Sequence, residues 1–263
     1  MRKLEMKLLA SFAARSVRAS DLKSIRLIAT DMDGTLTIDQ KFTPQLLQAF
    51  DRLNQAGIAV LIVTGRSAGW VSGLAHYLPI VGAIAENGGL FYQGETQELL
   101  MSIADLKLHR QKLAEVFLEL RSYFPQIQES SDNIFRLTDW TFDVAGLNTS
   151  DLKQLDVLCQ KNGFGFTYSN IQCHIKLAQQ DKAQGLIKTL NNHFSQYELE
   201  QIATIGDSPN DESLFDSARF PMSIGVANIQ HYQTQLKYLP TYITAQPEGM
   251  GFCEFVDAVL AVH

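Results

Sequence analysis

The sequence predicts an α/β protein: a doubly wound, mainly parallel sheet interrupted by a smaller α+β insertion. Three observations carry this. Continuous apolar runs at 25–31, 58–63, 81–86 and 201–207 end in polar residues or glycine-containing loops. Amphipathic helical stretches separate the first three, the rhythm of parallel strands joined by crossovers. Between residues 90 and 177 the rhythm changes to helices with short strands, and afterwards it resumes.

The elements follow in order. IRLIATD (25–31) is rich in Ile and Leu and closes on a carboxylate, so it reads as a strand buried on both faces. Thr43 and Pro44 supply an N-cap and a first-turn proline. The helix they open has apolar residues at 46, 47, 50 and 53, and Gly57 stops it. IAVLIV (58–63) and VGAIAE (81–86) read as strands, with the helix SAGWVSGLAHYL (67–78) between them. GLFY (89–92) suggests a short strand, and 104–124 a long amphipathic helix. NIFRLTDWTFDVAG (133–146) is expected to hold two strands that turn near Thr138-Asp139. A helix from Thr149 to the Gly163 stop precedes FGFTYS and IQCHIKL, paired strands around Ser169-Asn170. The core pattern returns with a helix over 181–194, the strand QIATIGD (201–207) and a helix after Pro209. A strand in FPMSIGV, the short strand TYIT (241–244) and a helix after Gly249 complete it. The expected division is an extension over 1–23, a core of 24–89 and 178–263, and an inserted α+β cap over 90–177.

Composition narrows the function. At 263 residues, 46% hydrophobic and 19% charged, the chain suits a folded protein with one large domain or two modest ones. Lys and Arg total 22 and Asp and Glu 28, a net charge of -6, which argues against generic nucleic-acid binding. No apolar run approaches the roughly 18 residues of a membrane span. Cys159, Cys173 and Cys253 are few and widely spaced, so neither a disulfide framework nor a zinc site is expected, and a reducing, cytoplasmic setting is. Residues 1–23 hold six basic and two acidic residues, somewhat like an amphipathic targeting segment. Their plainer reading is a helical or frayed extension.

The chemistry concentrates at strand ends, where open α/β sheets bind ligands. Asp31-Met32-Asp33-Gly34-Thr35 places two carboxylates just past a buried strand, with Gly34 giving the turn its freedom. Thr64-Gly65-Arg66 offers a hydroxyl and backbone donors for a phosphate oxygen, although a capping turn would look the same. Lys182 opens a helix, where the dipole disfavours a cation unless an anionic partner faces it. Gly206-Asp207-Ser208-Pro209-Asn210-Asp211 adds two carboxylates and an amide, hard oxygen donors that suit Mg²⁺. Simple helix capping would not call for four acids on two separate strand ends.

Taken in order, these elements resemble the four motifs of the haloacid dehalogenase superfamily: DMDGT (31–35), Thr64, Lys182 and GDSPND (206–211). AENGG (85–89), SIGVAN (223–228) and the late YIT before Gly249 resemble its Cof-type and sucrose-phosphatase-like sugar phosphatase branch. The resemblance spans residues 25–262, with Lys182-Ala183 standing where that branch usually has Lys-Gly. It implies a Rossmann-like core under a lid, and phosphoryl transfer through an aspartyl-phosphate. Asp31 would be the nucleophile and Asp33 the acid and base. Thr64 and Lys182 would bind the phosphoryl oxygens. Asp31, the Asp33 backbone carbonyl and Asp207 would hold Mg²⁺, with Asp211 holding a metal water or orienting Lys182. Gly65, Arg66, Asn87 and Asn210 are the further substrate-binding candidates.

The chemistry of the residues agrees, since a carboxylate is ionised at neutral pH and needs no activating base. A raised pKa is expected for Asp33 from its acidic neighbours. Arg136, Asp139, Trp140, Asp143 and His174 are the lid residues with chemistry to offer. The expected protein is a monomeric or homodimeric Mg²⁺-dependent phosphatase of a small phosphorylated metabolite, first among them a sugar phosphate. Its lid is long enough to suggest room for a sizeable leaving group such as a disaccharide phosphate. A phosphomutase of the phosphomannomutase type, or a silent binding protein on the same scaffold, are the alternatives.

Overall fold

The computed structural model describes residues 19–263. A short helix α1 (Ala19–Ser24) precedes β1 (Leu27–Thr30), α2 (Pro44–Gln55), β2 (Ala59–Val63), α3 (Ala68–Tyr77) and β3 (Gly82–Ala85). The hairpin of β4 (Leu90–Gln93) and β5 (Thr96–Leu99) follows. A separate unit holds α4 (Leu106–Tyr123), β6 (Asp139–Asp143), α5 (Thr149–Lys161), β7 (Gly165–Tyr168) and β8 (Gln172–Lys176). The chain returns through α6 (Lys182–His193), β9 (Ile202–Gly206), β10 (Met222–Gly225), β11 (Tyr242–Ile243) and α7 (Glu248–Leu260).

One eight-stranded sheet runs β11-β10-β9-β1-β2-β3-β4-β5, and a second runs β6-β8-β7. Strand β1 pairs in parallel with β2 on one side and β9 on the other. The crossovers leave β1 in opposite directions, so its C-terminal end is the switch point where such sheets open a cleft. All four residues of β1 are buried, as its unbroken apolar run requires. Phe50, Phe252 and Val256 pack on one face of the large sheet, and Leu186, Leu190 and Phe220 on the other. The small sheet has its own core around Leu113, Phe117, Phe142, Cys173 and Ile175. The Thr43 hydroxyl accepts from the Leu46 N–H at 3.3 Å, and Pro44 opens α2 as anticipated.

Three details differ from the sequence expectation. Strands β4 and β5 extend the main sheet antiparallel to β3, so residues 90–99 belong with the core sheet rather than the insertion. Periodicity marks a strand but not its sheet; Phe91 decides this one by packing edge-on against Phe194 of the core. Only one strand forms within 133–146, because Ser131–Phe135 is a 3₁₀ turn. There the Asn133 side chain takes the place of a neighbouring strand, accepting from the Thr141 N–H at 2.9 Å and donating to its carbonyl at 2.7 Å. The helix after Pro209 is likewise 3₁₀, over Pro209–Phe215. The helix α1 falls at the end of the stretch expected as a helical or frayed extension, whose first 18 residues are outside the described ones. Cys159, Cys173 and Cys253 are all free thiols. No described helix is long and apolar enough to cross a membrane.

Candidate active site

The C-terminal ends of β1, β2, β3 and β9 deliver Asp31, Thr64, Asn87 and Asp207 to one edge of the sheet, and α6 brings Lys182. Asp31, Asp207 and Asp211 are buried, each with a carboxylate oxygen within 4.8 Å of the others. Lys182, fully buried, donates to Asp31 and, at 2.6 Å, to Asp211. Asp211 also accepts from the N–H groups of Asp207 and Ser208 at 2.9 and 3.1 Å, so it is spent on the loop and on aiming Lys182. Asp207 accepts from the Thr35 hydroxyl at 3.1 Å and the Asn228 amide at 2.9 Å. Gly34 lies close beneath: with φ +82°, any Cβ there would stand 2.6 Å from an Asp207 oxygen.

The charge balance of this cluster favours a cation. Three buried acids face one lysine, and burial pushes Asp31 up to about 7, with Asp211 and Asp33 adding to it and Lys182 opposing. Asp207 is raised well above the ordinary carboxylate range by burial, then by Asp31 and Asp211. Burial works against the charge of Lys182, yet Asp211 and Asp31 outweigh it and hold the lysine above its usual value. Hard, like-charged oxygens with an excess of negative charge fit a divalent cation such as Mg²⁺.

The other expected residues fall around this centre. The Thr64 hydroxyl accepts from the Arg66 N–H at 3.1 Å and keeps its own proton to donate. Asn87 accepts from the Asn210 amide at 3.1 Å, and its own buried NH₂ has no partner among the described residues. Asp33 departs from the expectation. Arg66, rather than neighbouring acids, grips both its oxygens at 2.7 and 2.5 Å. Arg66 is thereby committed to Asp33, and it also lies 4.7 Å over the Trp70 ring.

The lid covers this centre. Ser169, Ile171, Gln172 and His174 close a cavity of about 20 Å³ over Asp31, Asp33, Thr64 and Asn210. That volume holds about one water. Of the five lid residues singled out, His174 alone lines the cavity. Asp139 and Arg136 stand behind it: His174 Nδ1 bonds Asp139 at 2.8 Å, and Arg136 pairs with Asp139 and Asp132. Burial pulls His174 below its ordinary value despite Asp139, whereas Arg136 and His174 overcome burial to hold Asp139 below its own. Neutral His174 then donates from Nδ1 to an ionised Asp139. Trp140 stacks on Phe117 in the lid's own core, and Asp143 is exposed.

Sequence reasoning missed several groups. Gln172 shares the cavity-facing side of β8 with His174, which an alternation count from His174 would have found. Glu86, although within the AENGG match, was given no role. Fully buried, it accepts from the N–H groups of Ala68, Leu137 and Thr138 and from the Thr138 hydroxyl, tying the core to the base of the lid. Arg136 adds a second tie through the Gly65 carbonyl at 3.0 Å.

Known proteins share this organisation. The family model of haloacid dehalogenase-like hydrolases matches residues 28–135. The chain is 29% identical over 243 residues to phosphoglycolate phosphatase 1 of Saccharolobus solfataricus, covering 90% of this chain and 96% of that one. It is 27% identical over 247 residues to the phosphoglycolate phosphatase of Staphylothermus marinus, covering 90% and 98%. A crystal structure from Thermoplasma acidophilum superposes with a TM-score of 0.72 at 21% identity, over 91% of this chain and 99% of that one. The sucrose-phosphatase of Synechocystis, solved with sucrose and phosphate, superposes at 0.65 with 16% identity over 90% and 98%. In fold, motif order and sequence the chain is thus similar to haloacid dehalogenase-like hydrolases. The curated relatives it matches are phosphatases, that is, phosphoric monoester hydrolases.

Proposed function

We propose that the chain is a Mg²⁺-dependent phosphatase of a small phosphorylated hydroxy acid, acting through an aspartyl-phosphate on Asp31. The observation that carries this reading is the buried group of Asp31, Asp207 and Asp211 joined by Lys182 at the switch point of the sheet. Mg²⁺ would sit on Asp31 and Asp207, where its charge would draw electron density from the phosphoryl oxygens. An oxygen of Asp31 attacks phosphorus as the bond to the leaving oxygen breaks, and Asp33 gives that oxygen a proton. Water then attacks the phosphorus, Asp33 takes its proton, and the bond to Asp31 breaks to release phosphate. Thr64 and Lys182 bind the oxygens over which the transition-state charge spreads. Both Asp33 oxygens accept from Arg66 in the closed form, so proton donation follows release from that grip.

The choice of a short acid over a sugar phosphate rests on the relatives, which are named for phosphoglycolate. Phosphate release is to be measured from 2-phosphoglycolate, ethyl phosphate and a set of hexose phosphates, with and without Mg²⁺. The expected result is Mg²⁺-dependent release with 2-phosphoglycolate as the best substrate. Interconversion of hexose phosphates without release would establish a mutase instead. Asp33→Asn is expected to lower kcat by about 10²–10⁴-fold on ethyl phosphate, the range of general-acid catalysis. On p-nitrophenyl phosphate, whose leaving group needs no proton, the loss is expected to be smaller. Equal losses on both would remove Asp33 from the acid role.

A further inference from the structure

A second cavity, of about 300 Å³, lies between lid and core, and Asn210 lines both it and the small reaction cavity. Asn87 lines the second cavity too, with its unpartnered NH₂ buried. Lys176 forms part of its wall on the lid side. Gln172, His174 and Lys176 alternate along β8 and therefore share one face, while Cys173 and Ile175 turn into the lid core. The strand that supplies two groups to the reaction cavity thus supplies a lysine to the cavity beside it.

Lys176 is only 7% exposed, and among the described residues no hydrogen bond or ion pair reaches its ammonium. A buried lysine without a partner is costly and calls for an anion. The neighbouring acids are occupied elsewhere. Asp139, opposite Lys176 on β6, serves Arg136 and His174. Asp181 caps α6 through the Gln184 N–H at 2.7 Å. Glu212 accepts from the N–H groups of Lys237 and Tyr238. Asp216 pairs with Arg219 at 3.4 Å. Asp156, the remaining acid whose field reaches Lys176, accepts from Gln160 at 3.0 Å on the surface of α5. Gly165, opposite Lys176 on β7, leaves the space the ammonium uses: a Cβ there would lie 3.4 Å from Nζ. Burial pulls Lys176 below its ordinary value, a penalty that a bound anion would reverse.

We propose that Lys176 and the cavity it lines bind the carboxylate of the leaving group, making this lysine the residue that selects a phosphorylated acid over a neutral phosphomonoester. Asn210 lines both cavities, and Asn87 lines the larger one beside it. This rests on the phosphatase reading above and adds to it the residue that sets substrate class.

Two measurements test it. For the wild-type enzyme, kcat/KM on 2-phosphoglycolate is expected to exceed that on ethyl phosphate, the analogue without the carboxylate, by about 10-fold or more. A charged hydrogen bond lost from a buried site has about that effect. For Lys176→Gln, this preference is expected to collapse to about 3-fold or less, chiefly through KM, with Lys176→Arg restoring part of it. Equal wild-type rates on the two substrates, or an undiminished preference in Lys176→Gln, would overturn the assignment of Lys176 and leave the phosphatase reading standing. Absence of phosphate release from every monoester would instead overturn that reading.

Discussion

Asp31→Asn is expected to lower turnover by about 10⁵-fold or more while leaving the protein folded. The amide has the shape of the carboxylate but cannot carry the phosphoryl group as an acyl phosphate. Folding should not suffer, because Asp31 is held charged at a cost: burial pushes it up to about 7 even with Lys182 beside it. A neutral group at that position removes the cost, and Lys182 keeps Asp211 at 2.6 Å. The metal-free variant should therefore melt at or above the wild-type temperature. Acid-quench trapping of the phosphoenzyme, phosphate release and a melting curve read all three expectations. Wild-type turnover in Asp31→Asn would mean that another group is the nucleophile.

The second large effect is on pH and cation. Asp31 goes from an ordinary 3.8 to about 7, and Asp207 moves in the same direction. Between those values the folded chain binds more protons than the unfolded one, so stability falls as pH rises. In EDTA, wild type should lose melting temperature between about pH 4 and 7 relative to Asp31→Asn, which lacks the Asp31 contribution. At pH 7.5, Mg²⁺ at 100 times its Kd should add about 2.7 kcal/mol. At about 2–4 °C per kcal/mol for a chain of this size, that is a rise of roughly 5–11 °C. A melting temperature indifferent to Mg²⁺ at neutral pH would deny the three carboxylates a cation-binding role.

Much of the fold was legible because its strands are buried on both faces. Such strands read as unbroken apolar runs, and 25–31, 58–63, 81–86 and 201–207 each became one. The acids were legible because four of them at two strand ends exceed what capping needs, and the lysine because a cation at a helix start calls for an anionic partner. What stayed hidden depends on partners far away in sequence. Nothing local tells the hairpin of β4 and β5 to join the large sheet, since Phe91 finds Phe194 only after the lid has been made. Nothing local tells Asn133 to stand in for a strand, or Glu86 to bind residues 51 and 52 positions away. The pairing of Arg66 with Asp33 stayed unseen for the same reason, because Arg66 comes from another strand end.

Residues 64–66 have a consequence for the order of events. Gly65 receives Arg136 from the lid through its carbonyl, and the next residue along holds Asp33 by both oxygens. Opening the lid must break the first bond, whereas the backbone that aims the second stays tied to the core, the Arg66 carbonyl accepting from the Glu86 N–H and the Thr64 carbonyl from the Asn87 N–H, both at 3.0 Å. The lid can therefore lift while Arg66 keeps its hold on Asp33, so substrate entry and the freeing of the proton donor are separate events.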